Sequence, residues 1–528
     1  MIKVKYVDKS PTTKSDCTVT CDDKQAHVNL DELNKDNTEV IQYATFEHNR
    51  TLLNGKFYDF PDIPSTGQVY ISESISDENG NFTTPIVMTR AFTQQHTSPG
   101  ISFTFDNNDD KCWCKELNIK WYRDDTLLCD VTYTPNSTIY FCQQNVVAFN
   151  KIVITFYSTS KPYRYLRIFN IDDGVDREFK EDELYGLKII EEISESSDTL
   201  SINTADININ AKTDVDFIFQ RTQPIYIYKN ENLICKTFNS ESTREIENKY
   251  SIYSEDYIGS LDKEQFLGGI YINYSLKSLL DDICGGIPHD YIGTETISGY
   301  LPVKTRREAL QYVAFATCKV IDCSRSEKIQ VKTLSDVPKA IDKSRVMRNP
   351  TESTETIVTQ IRLAEHMLKA NSDSSELINE VVNGTYTFTF GEPHHSYSIT
   401  GGTLVSSGPN YVTIAGTGNT VIVTANGYDD VIKQLTIENP IVVATDLPNV
   451  IERLDNQLIT SSNSETVLQH LSGIYFRNKT LSAKVFLGDE MVGDLVTIPT
   501  SLGAITGRIT VIDVDLIDGL ADFTISEV

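Results

Sequence analysis

The feature that most constrains this chain is strict two-residue alternation of apolar and polar side chains in its N-terminal third. Ile101, Phe103 and Phe105 are separated by Ser102 and Thr104, and Leu117, Ile119 and Trp121 by Asn118 and Lys120. Ile152, Ile154 and Phe156 repeat the pattern before Lys161–Pro162 and a last run, Tyr163–Ile168. Side chains two apart on a strand share one face, so each run can bury one side and wet the other. Turns such as Arg123–Asp124–Asp125 separate the runs, and no convincing helical period interrupts them. The pattern predicts an antiparallel β-sandwich over residues 1–172, closing before Asp172–Asp173–Gly174. Trp121 belongs to its core.

Beyond 173 the texture changes. Leu187–Ile193 and Thr199–Ile209 read as strands, and IYIYKNENLIC (225–235) as a hairpin around Asn230–Glu231. Ser275 is a natural N-cap for a helix carrying Leu276, Leu279, Leu280 and Ile283 on one face, stopped by Gly285–Gly286. A second helix opens with the capping box Thr305-x-x-Glu308 and runs into a hairpin, KVIDCSRSEKIQV (319–331). Strands return with YTFTF (386–390), YVTIAGTGNTVIVTA (411–425), in which Gly416-Thr417-Gly418 reads as a hairpin turn, and VIKQLTIEN (431–439). A helix at about 464–476, capped by Ser464, precedes an all-β finish. The chain is expected to be multidomain and mainly β: a sandwich at 1–172, a barrel at 173–265, an α+β element at 266–345, and a second barrel region at 346–528.

Among 528 residues, 74 acidic side chains against 47 basic ones give a formal charge of −27. Such a surface repels phosphate backbones, and without a block of Lys and Arg it excludes specific nucleic-acid binding. No stretch approaches the ~18 apolar residues of a membrane span, and the N-terminus lacks the apolar core of a secretory signal. The ten cysteines are sparse for a disulfide scaffold, and most sit singly in apolar runs, as in a chain folded in a reducing cytoplasm.

Two stretches carry resemblances. Gly100 to Phe169, ending KIVITFYSTSKPYRYLRIF, resembles the closing strands of galactose-binding-like jelly rolls, modules that commonly bind glycans on loops at one end. The strings YSEDYIGSLDKEQFLGGIY (253–271), GYLPVKTRREALQYVAFATCKVIDCSRSEKIQV (299–331), FGEPHHSYSITGGTLVSSGPNYVTI (390–414) and IVVATDLPNVIERLDNQLITSS (441–462) are similar to a tail protein common in prophages of Clostridium-type bacteria. That resemblance implies a hub-type β-barrel protein of the phage tail tip, a virion component made in the host cytoplasm. It also implies a trimeric ring whose partners are distal tail, tape-measure and receptor-binding proteins. The N-terminal module would then decorate the hub and touch a host surface glycan. The rival readings are a free-standing carbohydrate-binding adhesin and, more distantly, a tail-borne glycosidase.

For a glycan, Trp113 is the candidate ring to stack on a sugar, while Arg50, Asn54 and His96 are candidates to hydrogen-bond its hydroxyls. For each of them taken singly, an ordinary loop or core residue is the preferred reading. Cys17-x3-Cys21 and Cys112-Trp113-Cys114 could together offer four thiolates to zinc, could pair as disulfides after release, or are plain thiols. The loop Asp106–Asn107–Asn108–Asp109–Asp110 offers oxygen ligands of the kind calcium takes, such as the structural calcium common in galactose-binding-like domains, but an Asn/Asp-rich turn whose side chains bond their own backbone is the preferred reading. His394 and His395, adjacent on a strand, point to opposite faces and make no metal pair. No nucleophile-base signature, zinc-protease motif or phosphate loop is present, so neither catalytic residues nor a cofactor are expected.

Overall fold

Alternation becomes architecture in the computed structural model, which describes residues 1–35, 45, 47, 70–107, 111–212, 222–245, 248–347, 350–442, 447–501 and 503–528. The chain divides into two compact units. Lys5–Glu178 builds one; Met1–Val4, the strands from Phe179 to Asn210 and Pro224–Val528 build most of the other.

The first unit is antiparallel. Strand β1 (Asn81–Phe105) pairs along its length with β4 (Ile139–Thr159), and β4 pairs on its other side with β2 (Cys114–Arg123). Strand β3 (Thr126–Tyr133) closes against β2, and β5 (Tyr165–Lys180) lies beside the end of β1. Bulges between Ala91 and Gly100 let the 25-residue β1 bend and still keep one partner. Ile101, Phe103, Phe105, Leu117, Ile119, Trp121, Ile152, Ile154 and Phe156 are all fully buried in one core. A short helix, Pro11–Asp16, lies outside the strand pattern.

Asp172–Asp173–Gly174 is not a loop after the last strand but part of β5. Three ion pairs hold it there. The Arg90 guanidinium donates to both Asp173 carboxylate oxygens at 2.7 and 2.8 Å, with both side chains buried. Lys9 and Lys14 meet Asp172 at 2.9 and 2.7 Å. Gly174 has φ +128, and a Cβ there would sit 1.9 Å from the Asp8 carbonyl oxygen, so no side chain fits.

In the second unit, β6 (Leu184–Glu192), β7 (Thr204–Asn210), β8 (Pro224–Lys229), β9 (Asn232–Arg244) and β10 (Lys249–Glu255) pair antiparallel in the order 6-7-10-9-8. Asn230 and Glu231, both at positive φ, turn the expected β8–β9 hairpin. Helix α1 (Leu276–Cys284) starts where Ser275 accepts the Ser278 N–H, and Gly285 ends it in the left-handed region. Helix α2 (Arg306–Thr317) opens with the complete Thr305–Glu308 capping box. The Val320–Asp322 and Ile329–Lys332 strands form the hairpin after it.

Strands β11 (Gln360–Thr389), β12 (His394–Thr400), β13 (Thr403–Gly408) and β14 (Tyr411–Glu438) make a long ribbon with β14 in the middle. Here the structure corrects the sequence reading. Gly416-Thr417-Gly418 is no hairpin turn but a bulge inside β14, opposite the register shift at Val382/Asn383. Helix α3 (Ser464–Tyr475) is entered from Asn463, not capped by Ser464, whose hydroxyl instead bonds Glu365 at 2.8 Å.

The C-terminal strands β15 (Lys479–Phe486), β16 (Gly503–Asp515) and β17 (Leu520–Glu527) form one antiparallel sheet, and β16 pairs with β6 from Val511↔Glu192 to Asp515↔Lys188. The 173–265 region and the C-terminal β segment, read from the sequence as separate, therefore share one sheet. A single apolar core gathers α1, α2 and α3 with Ile258, Leu261, Leu301, Ile361 and Leu458.

Removing one partner of a buried ion pair leaves the other charge uncompensated, at a cost of about 3–5 kcal/mol. Asp173→Asn is therefore expected to destabilise the first unit by that amount, with much of it recovered by the apolar pair Arg90→Met with Asp173→Leu. Trp113 and Trp121 are the only tryptophans, so urea unfolding followed by tryptophan fluorescence reads this unit alone. A single Asp173→Asn change within about 1 kcal/mol of wild type would show that the pair does not hold the unit.

Candidate carbohydrate surface and buried acids

Of the candidate sugar-binding residues, the two that the structure describes, His96 and Trp113, do not converge. Arg50 and Asn54 lie outside the described residues. His96 is buried: its Nε2 lies 2.8 Å from Asp16 Oδ2, and its ring meets the Phe92 ring edge-on at 5.2 Å. Asp16, at the end of the short helix, also accepts from Thr93 and Gln94. Those bonds from Thr93, His96 and Gln94 hold its carboxyl well below the usual range. Trp113 is half-buried against the core, and its indole N–H donates to the Pro135 carbonyl at 3.1 Å. His96 sits opposite Phe149, whereas Cys114, next to Trp113, sits opposite Thr159. At ~3.3 Å per residue along β4 the two are about 30 Å apart, too far to share one sugar.

The end of the sandwich that holds Trp113 carries a side chain that alternation had concealed. Tyr163, inside the Lys161–Pro162 turn, is 46% exposed and adopts φ +55, a conformation costly for a bulky residue. Its backbone N–H donates to Asp77 O, and its carbonyl accepts from the Arg164 guanidinium at 3.1 Å. The Ser160 N–H donates to the Trp113 carbonyl at 2.8 Å, so the Tyr163 turn and Trp113 meet at one rim. The sequence signal for it was Lys161–Pro162, a turn that presents the next residue outward.

The cysteine clusters go to separate local partners. Cys21 bonds the Tyr70 hydroxyl, Cys112 faces Ser160, and Cys114 faces the Glu116 carbonyl. Asp106 is buried, with its carboxylate 3.9 Å from Arg167, while Asn108–Asp110 lie outside the described residues. His395 Nε2 reaches the Asn371 carbonyl, and His394 stacks edge-on to Phe390. Among the described residues no group of three or more His, Cys, Asp or Glu is placed to hold a metal ion, and no helix is long and apolar enough to cross a membrane.

In the second unit an open cleft of about 370 Å³ is lined by Asp198, Gln311, Tyr312, Glu452 and Arg453. One of its acids, Asp198, is fully engaged. Asp198 takes Ser194 and Ser196 on one oxygen, and Arg453 and Tyr475 on the other. Burial pushes the group up, but the bonds from Tyr475, Ser196 and Ser194 and the Arg453 charge outweigh it and hold it at about 2. A carboxylate so held cannot carry a proton near neutrality. Elsewhere in the unit, burial raises Glu191 to about 7 despite the Arg325 guanidinium 3.4 Å away. Burial likewise raises Asp256 to about 7, although it accepts from the Asn203, Ile258 and Gly259 N–H groups.

No protein-family model matches the chain, and no curated protein matches it. Among solved structures, the chain is similar to the tail protein from Neisseria meningitidis MC58, 9% identical with a TM-score of 0.42, over 66% of this chain and 94% of that one. It is also similar to a prophage tail protein from Listeria monocytogenes EGD-e, 9% identical with a TM-score of 0.40, over 67% and 91% of the two chains. The N-terminal part is similar to the family 32 carbohydrate-binding module of C. perfringens NanJ, solved with galactose, at 11% identity and a TM-score of 0.21, over 33% of this chain and 99% of that module.

Glu191 yields a pH prediction. Its carboxyl ionises near 4 in the unfolded chain but near 7 in the fold, so its stabilising effect is complete below about pH 4 and is lost as pH rises toward 7. Wild type should therefore lose stability relative to Glu191→Gln as pH is raised from 5 to 8 in thermal melts. A gap that does not change with pH would mean Glu191 is ionised in the fold.

Proposed function

We propose that this chain is a structural component of a phage tail tip, with the second unit as the hub and the first as a module that touches the host surface. One observation carries the reading. The stretches at 253–271, 299–331 and 441–462 that resemble a prophage tail protein supply Ile258, Leu261, Leu310, Val313, Leu458 and Ile459 to one continuous core. Because the solved tail proteins align at TM-scores of 0.42 and below, the weight rests on those strings and that core. The partners on this reading are other tail proteins, and the ring is a trimer. Asp198 is committed to structural bonds, which supports a scaffold and not a glycosidase.

For the first unit, the reading is weak, multivalent attachment to surface carbohydrate through the rim formed by Tyr163, Arg164 and Trp113. An exposed tyrosine face suits a sugar ring, and a guanidinium suits its hydroxyls. Single sugar sites of this kind bind at about millimolar, near −4 kcal/mol, and several copies held together gain about 100-fold or more by avidity.

Full-length protein displayed on beads is expected to retain host cells, with Tyr163→Ala reducing retention at least tenfold and His96→Ala acting only through stability. Retention unchanged by Tyr163→Ala would remove this rim from the reading. Incubated with host peptidoglycan and capsule, the protein should release no reducing ends above a heat-treated control. Sustained turnover abolished by one carboxylate substitution would overturn the scaffold assignment.

A further inference from the structure

The cleft of the second unit is lined unlike an apolar pocket. Its volume of about 370 Å³ falls at the small end of ligand sites, about 300–1,000 Å³, most of which are walled by apolar side chains with a few polar ones. Here the proportions are reversed. Asp198, Gln311, Glu452, Arg453, Asp455 and Asn456 bring flat carboxylate, amide and guanidinium groups around the Tyr312 ring, and the wholly apolar side chains are Phe315 and Leu454. Planar groups of this kind donate and accept in fixed directions, as a ligand with hydroxyls around its edge requires.

The lining groups divide into those that brace the walls and those left over. The Asn456 amide donates to the Tyr312 carbonyl at 2.9 Å, and its oxygen accepts the Leu458 N–H at 3.1 Å, so residues 452–456 are tied to helix α2. Gln311 donates to the Asp198 carbonyl and Arg453 to the Asp198 carboxylate, which ties the third wall to both. A cleft braced in this way is formed before a ligand arrives. Asp455 is left over: it is exposed, and no hydrogen bond or ion pair joins its carboxylate to a described residue. Glu452 commits one oxygen to Arg362 at 2.8 Å.

Charge narrows the ligand. Three carboxylates against the single Arg453 guanidinium repel an acidic sugar or a phosphate. A cation gains little at the ring, because the chain's own Lys304 ammonium already lies 5.3 Å from the Tyr312 centroid. What suits the site is neutral and polar. We propose that this cleft is a carbohydrate site of the second unit, which takes one ring of a neutral sugar with the Asp455 carboxylate accepting two adjacent hydroxyls and the Tyr312 ring against the sugar's C–H face. With Asp198 bound up in the wall, the site holds a sugar without cleaving it. The inference stands on the cleft alone and needs neither the tail reading nor the rim of the first unit.

Saturation-transfer NMR on the full chain tests it, with the methyl glycosides of glucose, galactose, mannose and N-acetylglucosamine at about millimolar concentration, where single sugar sites bind. The Tyr163→Ala chain is the starting protein, so that the rim of the first unit contributes nothing. At least one glycoside should show transfer from it, and adding Asp455→Ala should weaken that binding about tenfold or more, the size of one hydrogen bond to a charged group. Asp455 is exposed and bonds no described residue, so the melting curve should be unchanged and the loss is one of binding. Methyl glucuronide and butylammonium chloride are the charged controls and should show no transfer that Asp455→Ala removes. Three results would overturn the inference: no transfer to any of the four glycosides, transfer that Asp455→Ala leaves unchanged, or butylammonium or glucuronide binding at Asp455 in their place. Failure of the rim would show instead in the bead-retention assay, and leaves this result untouched.

Discussion

The second unit depends on one pairing between distant parts of the chain. Strand Leu184–Glu192 lies beside Gly503–Asp515, and everything between them, helices α1, α2 and α3 and a long ribbon included, hangs from a sheet joined by that seam. Closing so long a loop costs conformational entropy that grows only slowly with its length, and the buried apolar rows repay it. Ile189 and Ile512 are both fully buried there. Charge secures the same region: Glu195 receives Arg477 at 2.9 Å and Arg508 at 3.3 Å. A unit closed this way is a frame, and the ribbon is an extension carried by the frame.

The first unit is held on a different principle. Its alternating triplets bury a dense aromatic and aliphatic core, and the buried Arg90–Asp173 pair locks the strand that leaves it. Buried pairs of this kind add less stability than well-packed apolar residues would, but they penalise any arrangement that separates them. Asp173 thus fixes the register of β5 against β1, where an apolar substitute would tolerate a slip.

Local physics made much of this legible. The Ile101–Phe105, Leu117–Trp121 and Ile152–Phe156 triplets were readable because period-two burial leaves a period-two sequence. Ser275 and the Thr305–Glu308 box were readable because caps act within four residues. Gly416-Thr417-Gly418 misled because a bulge and a hairpin turn use the same residues, and only the opposite strand tells them apart. The seam between 184–192 and 503–515 left no trace, since pairing at that separation imposes no local pattern. His96 and Trp113 looked free because Asp16 and the Pro135 carbonyl, which occupy them, approach from elsewhere in the chain. Tyr163 was hidden inside a run that read as strand.

On the proposed reading, the frame, the sandwich and the ribbon are parts of one tail-tip component. The most direct test is electron microscopy of intact particles produced by a host that carries this sequence, labelled with an antibody against the chain. The account predicts label confined to the distal end of the tail. Label spread along the tube, or purified particles free of the chain, would contradict it.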